Sequence, residues 1–465
     1  MRRSIVQTIT TLAVVAAALS VGCTTEKIVY RSGSNFVAPP GSAKSFVGYS
    51  DETSKQTVCG GCHVDAQSRW VTTKHASAWN TLSTSGSMQG YCQGCHTVGA
   101  YGNAATDTTV GWNGSKDARY HDVQCESCHG AGLTHASSPT SSNRPLASIK
   151  ADTNLTTGCG ECHSGTHNPF VQEWRLSGHS KTATLTATIK TNTYCQTCHT
   201  AQGALVAWGV SSNYAEKADT GSALLSTVCA VCHAPHGSAN AKQLRFPVTT
   251  ANTETNLCMK CHQRRSNVDI TTTSGAHSPE GPTLLGTAGW FPPGMSPADS
   301  LIGSHGNTDR NPNLCATCHV SRNTITDKAT GKFVFQSTGH RFLATPCVDA
   351  NGQPTESQTC TVSAQTFRSC VASGCHASET AARSAFATAD ARIATLATTL
   401  STLVTQAKAK KPTDFVASAP MNTGRGSAFN VTLAQKAGAS VHNPFLIEQL
   451  LLGSIKQIKI DYALP

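Results

Sequence analysis

Nine pairs of cysteines, each followed directly by a histidine, recur along this chain of 465 residues. Two thiols about one turn apart can add across the two vinyl groups on one edge of a porphyrin, and the adjacent histidine can then reach the iron as its proximal ligand. Eight pairs have the regular Cys-x-x-Cys-His spacing, so we predict a covalent haem c at each. The regular sites are Cys59/Cys62/His63, Cys92/Cys95/His96, Cys125/Cys128/His129, Cys159/Cys162/His163, Cys195/Cys198/His199, Cys229/Cys232/His233, Cys258/Cys261/His262 and Cys315/Cys318/His319.

The ninth site is wider, because four residues separate Cys370 from Cys375 before His376 follows. Widened attachment sites of this form are known in proteins that carry several haems, so we predict a ninth haem here. Cys347 and Cys360 have no adjoining histidine, and we interpret them as a structural disulfide. These assignments leave only the N-terminal cysteine discussed below.

Zinc and a disulfide scaffold are the main alternative explanations for so many paired cysteines. Zinc knuckles combine Cys-x-x-Cys pairs into sites of four ligands, but they do not need a histidine directly after every second cysteine. A disulfide framework has no use for that histidine either, and an exported chain would oxidise free pairs. The repeated histidine therefore favours haem.

Ten further histidines are available as ligands on the opposite side of each iron. Nine haems with two histidine ligands each would use nine of them, and the chain has only 5 methionines, so histidine–methionine ligation cannot be general. Trp70-x4-His75 and Trp174-x4-His179 repeat one arrangement, in which a large aromatic ring can flank the porphyrin. The ten candidates are His75, His121, His135, His167, His179, His236, His277, His305, His340 and His442.

The attachment sites begin at Cys59, and aromatic residues make up only 6% of the chain. The segments between successive sites are mostly shorter than 40 residues, and chains below about 40 residues bury too little apolar surface to fold without a metal or a crosslink. Covalent haem would supply both the crosslink and the missing apolar bulk. We therefore predict a mainly α and irregular, haem-organised fold with little β-sheet, in which residues 56–376 form the haem-binding domain.

The N-terminus is typical of an export signal. Arg2 and Arg3 precede an apolar run from Ile9 to Val21, and Cys23 follows small residues. This run is too short for a spanning helix and resembles a lipoprotein signal over residues 1–22, with Cys23 as the acylated residue. Residues 23–55 read as a flexible tether. These features predict an exported protein, either an outer-membrane lipoprotein or a periplasmic one, and leave the cell surface open as its location.

The formal net charge of +10 invites a nucleic-acid interpretation. Removal of the leader takes away Arg2 and Arg3, and each ferric haem with two ionised propionates would add one negative charge. Nine haems therefore bring the net charge close to zero. The basic side chains are better explained as partners of propionates, and we predict no nucleic-acid partner.

Residues 377–465 have a different composition. Ser378 to about Lys411 lacks Gly and Pro and predicts one long helix with apolar residues at alternating spacings of three and four. A second helix is predicted with Asn443 as N-cap and Pro444 at its first position. These helices could pack on each other or on the haem body, or could form a homo-oligomer interface, and the spacing alone leaves both open.

Two segments resemble known families. The run from His121 to His135, with Cys-Glu-Ser-Cys-His at its centre, resembles the tetrahaem cytochrome of the hydroxylamine oxidation pathway and its multihaem relatives. The run Cys229-Ala-Val-Cys-His-Ala-Pro-His-Gly is similar to the doubled Cys-x-x-Cys-His modules of larger periplasmic cytochromes. The resemblance covers roughly residues 55–345 and implies closely spaced haems that form a conduit for electrons.

The C-terminal helices are similar to those of pentahaem nitrite reductases and octahaem oxidoreductases, in which long helices follow the haem body. The Cys-x-x-Cys-Lys attachment typical of the nitrite reductase active haem is absent from this sequence. That absence argues against nitrite reduction by the mechanism of that family.

Two functions are compatible with these residues. Haems with both axial positions filled can only pass electrons, so the chain would relay them between other redox proteins or cytochromes, with the lipid anchor holding it at a membrane. Alternatively, one five-coordinate haem would allow the chain to reduce a small nitrogen or sulfur oxyanion. We predict no separate catalytic residues, and electron transfer is the interpretation that we favour.

Overall fold

The computed structural model describes residues 46–102, 110–145, 147–150, 158–184, 186–210, 213–269, 271–297 and 303–465. The predicted signal segment and Cys23 lie outside these residues. The helices in them are α1 (Val64–Trp70), α2 (Ala78–Ser83), α3 (Gly111–Ser115), α4 (Cys125–His129), α5 (Leu133–Ser137), α6 (Gly158–Cys162), α7 (Phe170–Leu176), α8 (Ala187–Thr191), α9 (Thr193–His199), α10 (Ala201–Ala207), α11 (Cys229–Cys232), α12 (Glu280–Leu284), α13 (Cys315–His319), α14 (Arg368–Ala372), α15 (Glu379–Lys410), α16 (Thr423–Ala434), α17 (Ala439–His442) and α18 (Pro444–Asp461).

Short 3-10 helices and two small hairpins complete the regular structure of the described residues. In one hairpin, β1 (Tyr49–Asp51) pairs antiparallel with β2 (Gln56–Thr57), and in the other, β3 (Asn323–Thr326) pairs antiparallel with β4 (Phe333–Ser337). The predicted fold class, mainly α and irregular with little β-sheet, is confirmed. The 3-10 helices are Cys59–Gly61, His75–Ser77, Gly90–His96, Ala118–Tyr120, Gly178–Thr184, Ala215–Ala218, Gly221–Ala223, Ala241–Gln243, Val362–Ala364 and Pro412–Phe415.

The helices that carry attachment cysteines are only one or two turns long. In α4, α9 and α13 the helix ends at the motif histidine, and the residue that follows leaves helical geometry. Helices this short are marginal on their own, so their stability must come from what they pack against. In the haem-binding region the described apolar clusters are correspondingly small, as in the group of Phe46, Val98, Val110, Trp112 and Tyr120.

The C-terminal region contains the largest apolar cluster of the described residues. Three helices, α15, α16 and α18, pack against one another, and buried positions on each face the shared core. Ser378 caps α15 by accepting from the backbone N–H of Ala381, and Asn443 caps α18 by accepting from that of Leu446. Both helices and the Asn443 cap agree with the sequence analysis, and the helices pack on each other as one interpretation expected. The cluster comprises Ala276, Ala288, Ile393, Ala397, Leu400, Leu403, Ala407, Phe429, Val431, Leu433, Ala434, Ala439, Leu446, Ile447, Leu450, Leu451, Ile458 and Tyr462.

Helix α16 is the element of this region that the sequence analysis missed. It contains Gly424 and Gly426, which lower helix propensity, but both are needed for close packing. A Cβ at Gly426 would clash with the Trp290 ring. Asn430, also in α16, accepts from the Trp290 backbone N–H at 2.8 Å and donates to the Trp290 carbonyl at 2.7 Å. This helix therefore joins the C-terminal helices to the haem-binding region.

Residues 46–55 belong to the folded body. Phe46, Val47 and Tyr49 are almost fully buried. The carboxylate of Glu126, in α4, accepts hydrogen bonds from the backbone N–H groups of Val47, Gly48 and Gly132. Burial is the largest influence on Glu126 and raises its pKa to about 7, against the lowering effect of these donors. The Glu126 side chain thus holds the first described residues against the attachment motif of Cys125.

We expect Asn430→Ala to loosen the contact between α16 and Trp290. The variant loses two hydrogen bonds to Trp290 and a third, at 3.0 Å, to the Ser454 hydroxyl. Leaving the partner groups buried and unsatisfied should lower the free energy of unfolding by about 1–3 kcal/mol. Chemical denaturation and hydrogen exchange of residues 288–292 would measure this.

Thr398→Ala is the matched control, because the exposed Thr398 hydroxyl bonds only to the Ala394 carbonyl in its own helix. It should change stability by less than about 0.5 kcal/mol, as surface substitutions usually do. Equal losses in the two variants would contradict the role assigned to Asn430.

Candidate haem-binding site

One continuous cavity of about 3510 Å³ runs through the haem-binding region. All nine motif histidines line it. The eighteen motif cysteines are all in the thiol form, whereas Cys347 and Cys360 form the disulfide expected from the sequence. The motif histidines that line the cavity are His63, His96, His129, His163, His199, His233, His262, His319 and His376.

Four of the eighteen motif cysteines do not line the cavity, namely Cys59, Cys62, Cys92 and Cys125. Of these four only Cys62 is exposed, whereas the adjoining His63 does line the cavity. The physical reason is its place in the fold, because Cys62 directly follows the short 3-10 helix Cys59–Gly61 at the surface, where its backbone N–H donates to the Cys59 carbonyl. Cys128 and Cys375 are also exposed, but both line the cavity. A thioether at Cys62 would therefore lie outside the cavity wall, and its role in attachment stays a prediction.

Eight motif histidines each face one of the ten additional histidines across a gap of nearly constant width. The ring centroids of these pairs are 5.8–6.4 Å apart. Nitrogen-to-metal bonds of about 2 Å on opposite sides of one metal ion would place two imidazole centroids about 6 Å apart. The pairs are His63–His135, His163–His75, His129–His236, His262–His179, His199–His277, His233–His340, His376–His305 and His319–His442.

Backbone carbonyls and carboxylates orient many of these rings. His233 Nδ1 donates to the Lys242 carbonyl at 2.9 Å, and His319 Nδ1 donates to the Phe342 carbonyl at 2.8 Å. His262 Nδ1 is 3.1 Å from the Glu280 carboxylate, and His305 Nδ1 donates to the Val441 carbonyl at 2.6 Å. An imidazole held at Nδ1 presents Nε2 as the free nitrogen, which is the arrangement of metal-binding histidines.

Burial keeps several of these imidazoles neutral, as a metal ligand must be. Desolvation is the main reason that the pKa values of His163, His179, His236 and His442 are lowered to about 4. His262 is different: burial lowers its pKa, but the hydrogen bond and charge of Glu280 outweigh burial and raise it. The donor set thus fits iron with two neutral axial imidazoles.

Cysteines of different motifs also come together. The Cys59 thiol contacts that of Cys125, and the Cys258 thiol contacts that of Cys315. The same holds for Cys95 with Cys162 and for Cys198 with Cys261. Haems joined to such cysteines would lie next to each other. Among the described residues, no group of three or more His, Cys, Asp or Glu side chains is arranged to hold a metal ion.

The structure contains an internal duplication of three motifs, which we call the first unit (residues 59–158) and the second unit (residues 159–257). Trp70 in the first unit donates through Nε1 to the Val123 carbonyl, and Trp174 in the second donates to the Thr227 carbonyl, with the same chain separation. Val123 and Thr227 each stand two residues before a motif cysteine. The repeated tryptophans therefore brace the third attachment motif of each unit, at Cys125 and at Cys229.

Three histidines depart from the general pattern of facing pairs. His96 is a motif histidine, and no histidine ring faces it, although all nineteen histidines lie in the described residues. Of the ten candidates for the opposite side, His121 stacks on Trp79 at 4.1 Å, and His167 lies against Phe333 at 6.1 Å. The structure thus brings eight of the ten candidates opposite a motif histidine and places these two elsewhere.

Glu173 is a site residue that sequence reasoning missed. Its buried carboxylate accepts from the backbone N–H and hydroxyl of Thr338 and from the backbone N–H of His340. It thereby fixes the segment that carries His340 opposite His233. No local pattern pointed to it, because the partners are 165 and 167 residues away along the chain.

Every helix in the described part of the chain falls short of the length or the apolarity that a membrane crossing requires.

Comparisons with known proteins agree with both sequence resemblances. A family model for cytochrome c554 and c-prime matches residues 58–130, and a model for the doubled CXXCH motif matches residues 223–267. No curated protein gives a significant match to the sequence.

Two solved structures have a similar fold. The crystal structure of the outer cell wall cytochrome OcwA has a TM-score of 0.53 and 18% identity, with 89% of this chain and 99% of that chain covered. An undecahaem cytochrome from the S-layer of Carboxydothermus ferrireducens has a TM-score of 0.52 and 18% identity, with 92% of this chain and 70% of that chain covered. At this level of identity the likeness concerns the fold.

We expect Glu173→Gln to disturb the position of His340. The amide offers one oxygen instead of two and turns its NH₂ group towards backbone donors, so at least one of the three hydrogen bonds is lost. In the haem-loaded protein the share of high-spin ferric iron should rise by up to one haem per chain. Electron paramagnetic resonance would measure the rise.

Glu254→Gln is the control, because Glu254 is an exposed glutamate outside the cavity. It should leave the spectrum unchanged. A Glu173→Gln spectrum identical to that of the unmodified protein would rule out the positioning role.

Proposed function

We propose that this chain, a multihaem c-type cytochrome, transfers electrons along nine covalently bound haems, at least eight of which have two histidine ligands. The observation that carries the proposal is the set of eight opposed histidine pairs with centroids 5.8–6.4 Å apart. The attachment cysteines support covalent linkage, because none of the eighteen forms a disulfide.

The bound haems supply reversible one-electron chemistry, and the chain determines how they are held. Two histidines per iron leave no position for substrate, which favours transfer over catalysis. Carbonyls and carboxylates on the Nδ1 atoms make the imidazoles better donors and hold their orientation. Differences in these hydrogen-bond partners and in burial would give the haems different reduction potentials.

Contacts between motifs support one continuous route for electrons. Cys59 contacts Cys125, and Cys128 lies close enough to Cys159 to interact with it electrostatically. His163 interacts in the same way with His233. Later in the route, Cys258 contacts Cys315. Cys232 and Cys261 interact electrostatically, as do Cys318 and Cys370. Named by first cysteine, the route passes through the motifs of Cys59, Cys125, Cys159, Cys229, Cys258, Cys315 and Cys370.

The two remaining motifs form branches of this route. Cys95 contacts Cys162, which attaches the Cys92 motif to the Cys159 motif. Cys198 contacts Cys261, which attaches the Cys195 motif to the Cys258 motif. Tyr91 and Tyr194, directly before these branch motifs, are 79% and 65% exposed. The branches are therefore the places where we expect other redox proteins to exchange electrons with the chain.

The location that we propose is outside the cytoplasm, with Cys23 as a lipid anchor. The apolar run before Cys23 and the attachment of haem c support export. The names of the two proteins of similar fold, one from an outer cell wall and one from an S-layer, are in keeping with a cell-surface position. Oligomerisation through the C-terminal helices stays a prediction.

A second candidate function is reduction of a small nitrogen or sulfur oxyanion at one haem. The observation that favours it is His96, which has no histidine opposite it among the described residues. A ligand position of this kind is what a multihaem reductase needs, with the other haems supplying electrons. The two functions are compatible, because a branch haem can be both the end of the route and a reaction site.

The number of haems is directly measurable. We expect the pyridine haemochrome assay to give nine haems per chain, and a Cys370→Ala/Cys375→Ala variant to give eight with the others retained. The control is Cys347→Ala/Cys360→Ala, which removes the disulfide and should keep all nine. A count of eight in the unmodified protein would mean that the wide motif does not bind haem.

Electron transfer has its own test. Potentiometric titration of the purified chain should show reversible uptake of nine electrons over a broad range of potentials without added substrate. Purified protein that is colourless, or that releases its metal to a chelator, would overturn the proposed function.

A further inference from the structure

The motif of Cys92, Cys95 and His96 differs from the others in what lies opposite its histidine. His96 Nδ1 donates to the Ala78 carbonyl at 2.7 Å, so the ring is oriented like the other proximal histidines. No histidine of the described chain faces it. Given the haem that the proposed function assigns to Cys92 and Cys95, we infer that this haem binds a small exogenous donor, such as cyanide or nitrite, on the side opposite His96.

His121 is the nearest unpaired histidine along the fold, and it does not lie opposite His96. Thr97, which directly follows His96, pairs with His121 in an antiparallel bridge. The His121 ring stacks on Trp79, whose neighbour Ala78 holds His96. Both contacts place His121 beside the segment that carries His96, and its ring does not face that of His96 as the rings of the eight pairs do. His121 therefore lacks the arrangement of an opposite ligand.

The partners of His121 also hold it in place. Its Nδ1 is 2.7 Å from the Glu52 carboxylate, and its ring lies at 9° to that of Trp79 and 4.9 Å from that of Trp112. Moving this ring to another position would break the hydrogen bond to Glu52 and two aromatic contacts at once. His121 is therefore held where its ring is not opposite that of His96.

The duplicated unit provides an internal comparison. The sequence Tyr-Cys-Gln-x-Cys-His-Thr occurs at residues 91–97 and again at residues 194–200. In both copies the second cysteine contacts the second cysteine of the motif two further along, Cys95 with Cys162 and Cys198 with Cys261. The Cys92 and Cys195 motifs thus hold equivalent places. Only the second has a histidine opposite, where His199 faces His277.

A difference in loop length explains why the Cys92 motif lacks the equivalent of His277. For the Cys195 motif, His277 lies on the long segment 263–279, between the motif histidine His262 and helix α12. For the Cys92 motif, the corresponding segment is residues 164–169, between the motif histidine His163 and helix α7. It contains His167, but this short segment is tied to β4. Thr166 accepts a backbone hydrogen bond from Gln336, and the His167 ring lies against Phe333.

The site is accessible to small molecules. The 3-10 helix Gly90–His96 has no buried residue, and Tyr91 beside it is 79% exposed. His96 also lines the large cavity, so a ligand at this position would adjoin the Cys159 motif through the contact of Cys95 with Cys162. This placement deepens the second candidate function, because electrons could reach a ligand here from the main route.

Ligand binding by the purified, haem-loaded full chain tests the inference. We expect about one-ninth of the ferric iron to be high-spin by electron paramagnetic resonance. Cyanide should bind with one equivalent per chain and abolish that signal, and nitrite should perturb the same signal. His121→Ala and His167→Ala should leave the high-spin share and the cyanide equivalent unchanged, because neither histidine is a ligand.

His277→Ala is the positive control. It removes the histidine opposite His199, so the high-spin share should double and two equivalents of cyanide should bind. A spectrum of the unmodified chain with only low-spin iron and no cyanide binding would overturn the inference. A gain of high-spin iron in His121→Ala or His167→Ala would overturn it too, by identifying a protein ligand.

These outcomes are separable from failure of the proposed function. Nine haems by pyridine haemochrome and reversible nine-electron titration, together with no cyanide binding, would leave electron transfer intact and remove only the open position. Cyanide binding without any effect of nitrite would keep the position and remove nitrite as a ligand.

Discussion

Opposed imidazoles determine the organisation of this protein. Each of the eight pairs brings together two segments that are distant in the sequence, as His129 and His236 or His319 and His442 are. The described haem-binding region has only small apolar clusters, so packing between side chains cannot hold these segments by itself. Iron bonds between paired histidines, with porphyrin filling the cavity around them, would supply both the crosslinks and the core.

Buried hydrogen bonds fix the positions of chain segments that bonds between histidine and metal would not fix by themselves. Glu126 and Glu173 each accept three hydrogen-bond donors, mostly backbone N–H groups, from segments far away in the chain. A buried carboxylate is costly unless its oxygens are satisfied, so these contacts hold their segments in one arrangement. The tryptophan bonds of Trp70 and Trp174 do the same for two attachment motifs. Haem geometry therefore depends on polar groups outside the ligand set.

The sequence was sufficient for features that depend on neighbouring residues. Attachment motifs, the Cys347–Cys360 disulfide and the cap at Asn443 all follow from short patterns. Histidine pairing did not follow, because it depends on how distant segments fold together. His121 was a strong candidate beside the Cys125 motif, yet the bridge from Thr97 to His121 places its ring beside Trp79. Helix α16 was missed because its two glycines serve close packing and not helix propensity, Gly424 against Tyr462 and Gly426 against Trp290.

Duplication explains how one haem position could come to differ without disturbing the rest. The first and second units share their tryptophan braces and their cysteine contacts, so the attachment framework is the same in both. The opposite ligand is supplied by a separate loop, which is long before α12 and short before α7. A change in that loop would alter the residue opposite one motif histidine but leave that histidine and its attachment cysteines in place. The residues proposed as opposite ligands and those proposed for attachment thus lie on independent parts of the chain, and this independence would allow one conduit to contain a different kind of site.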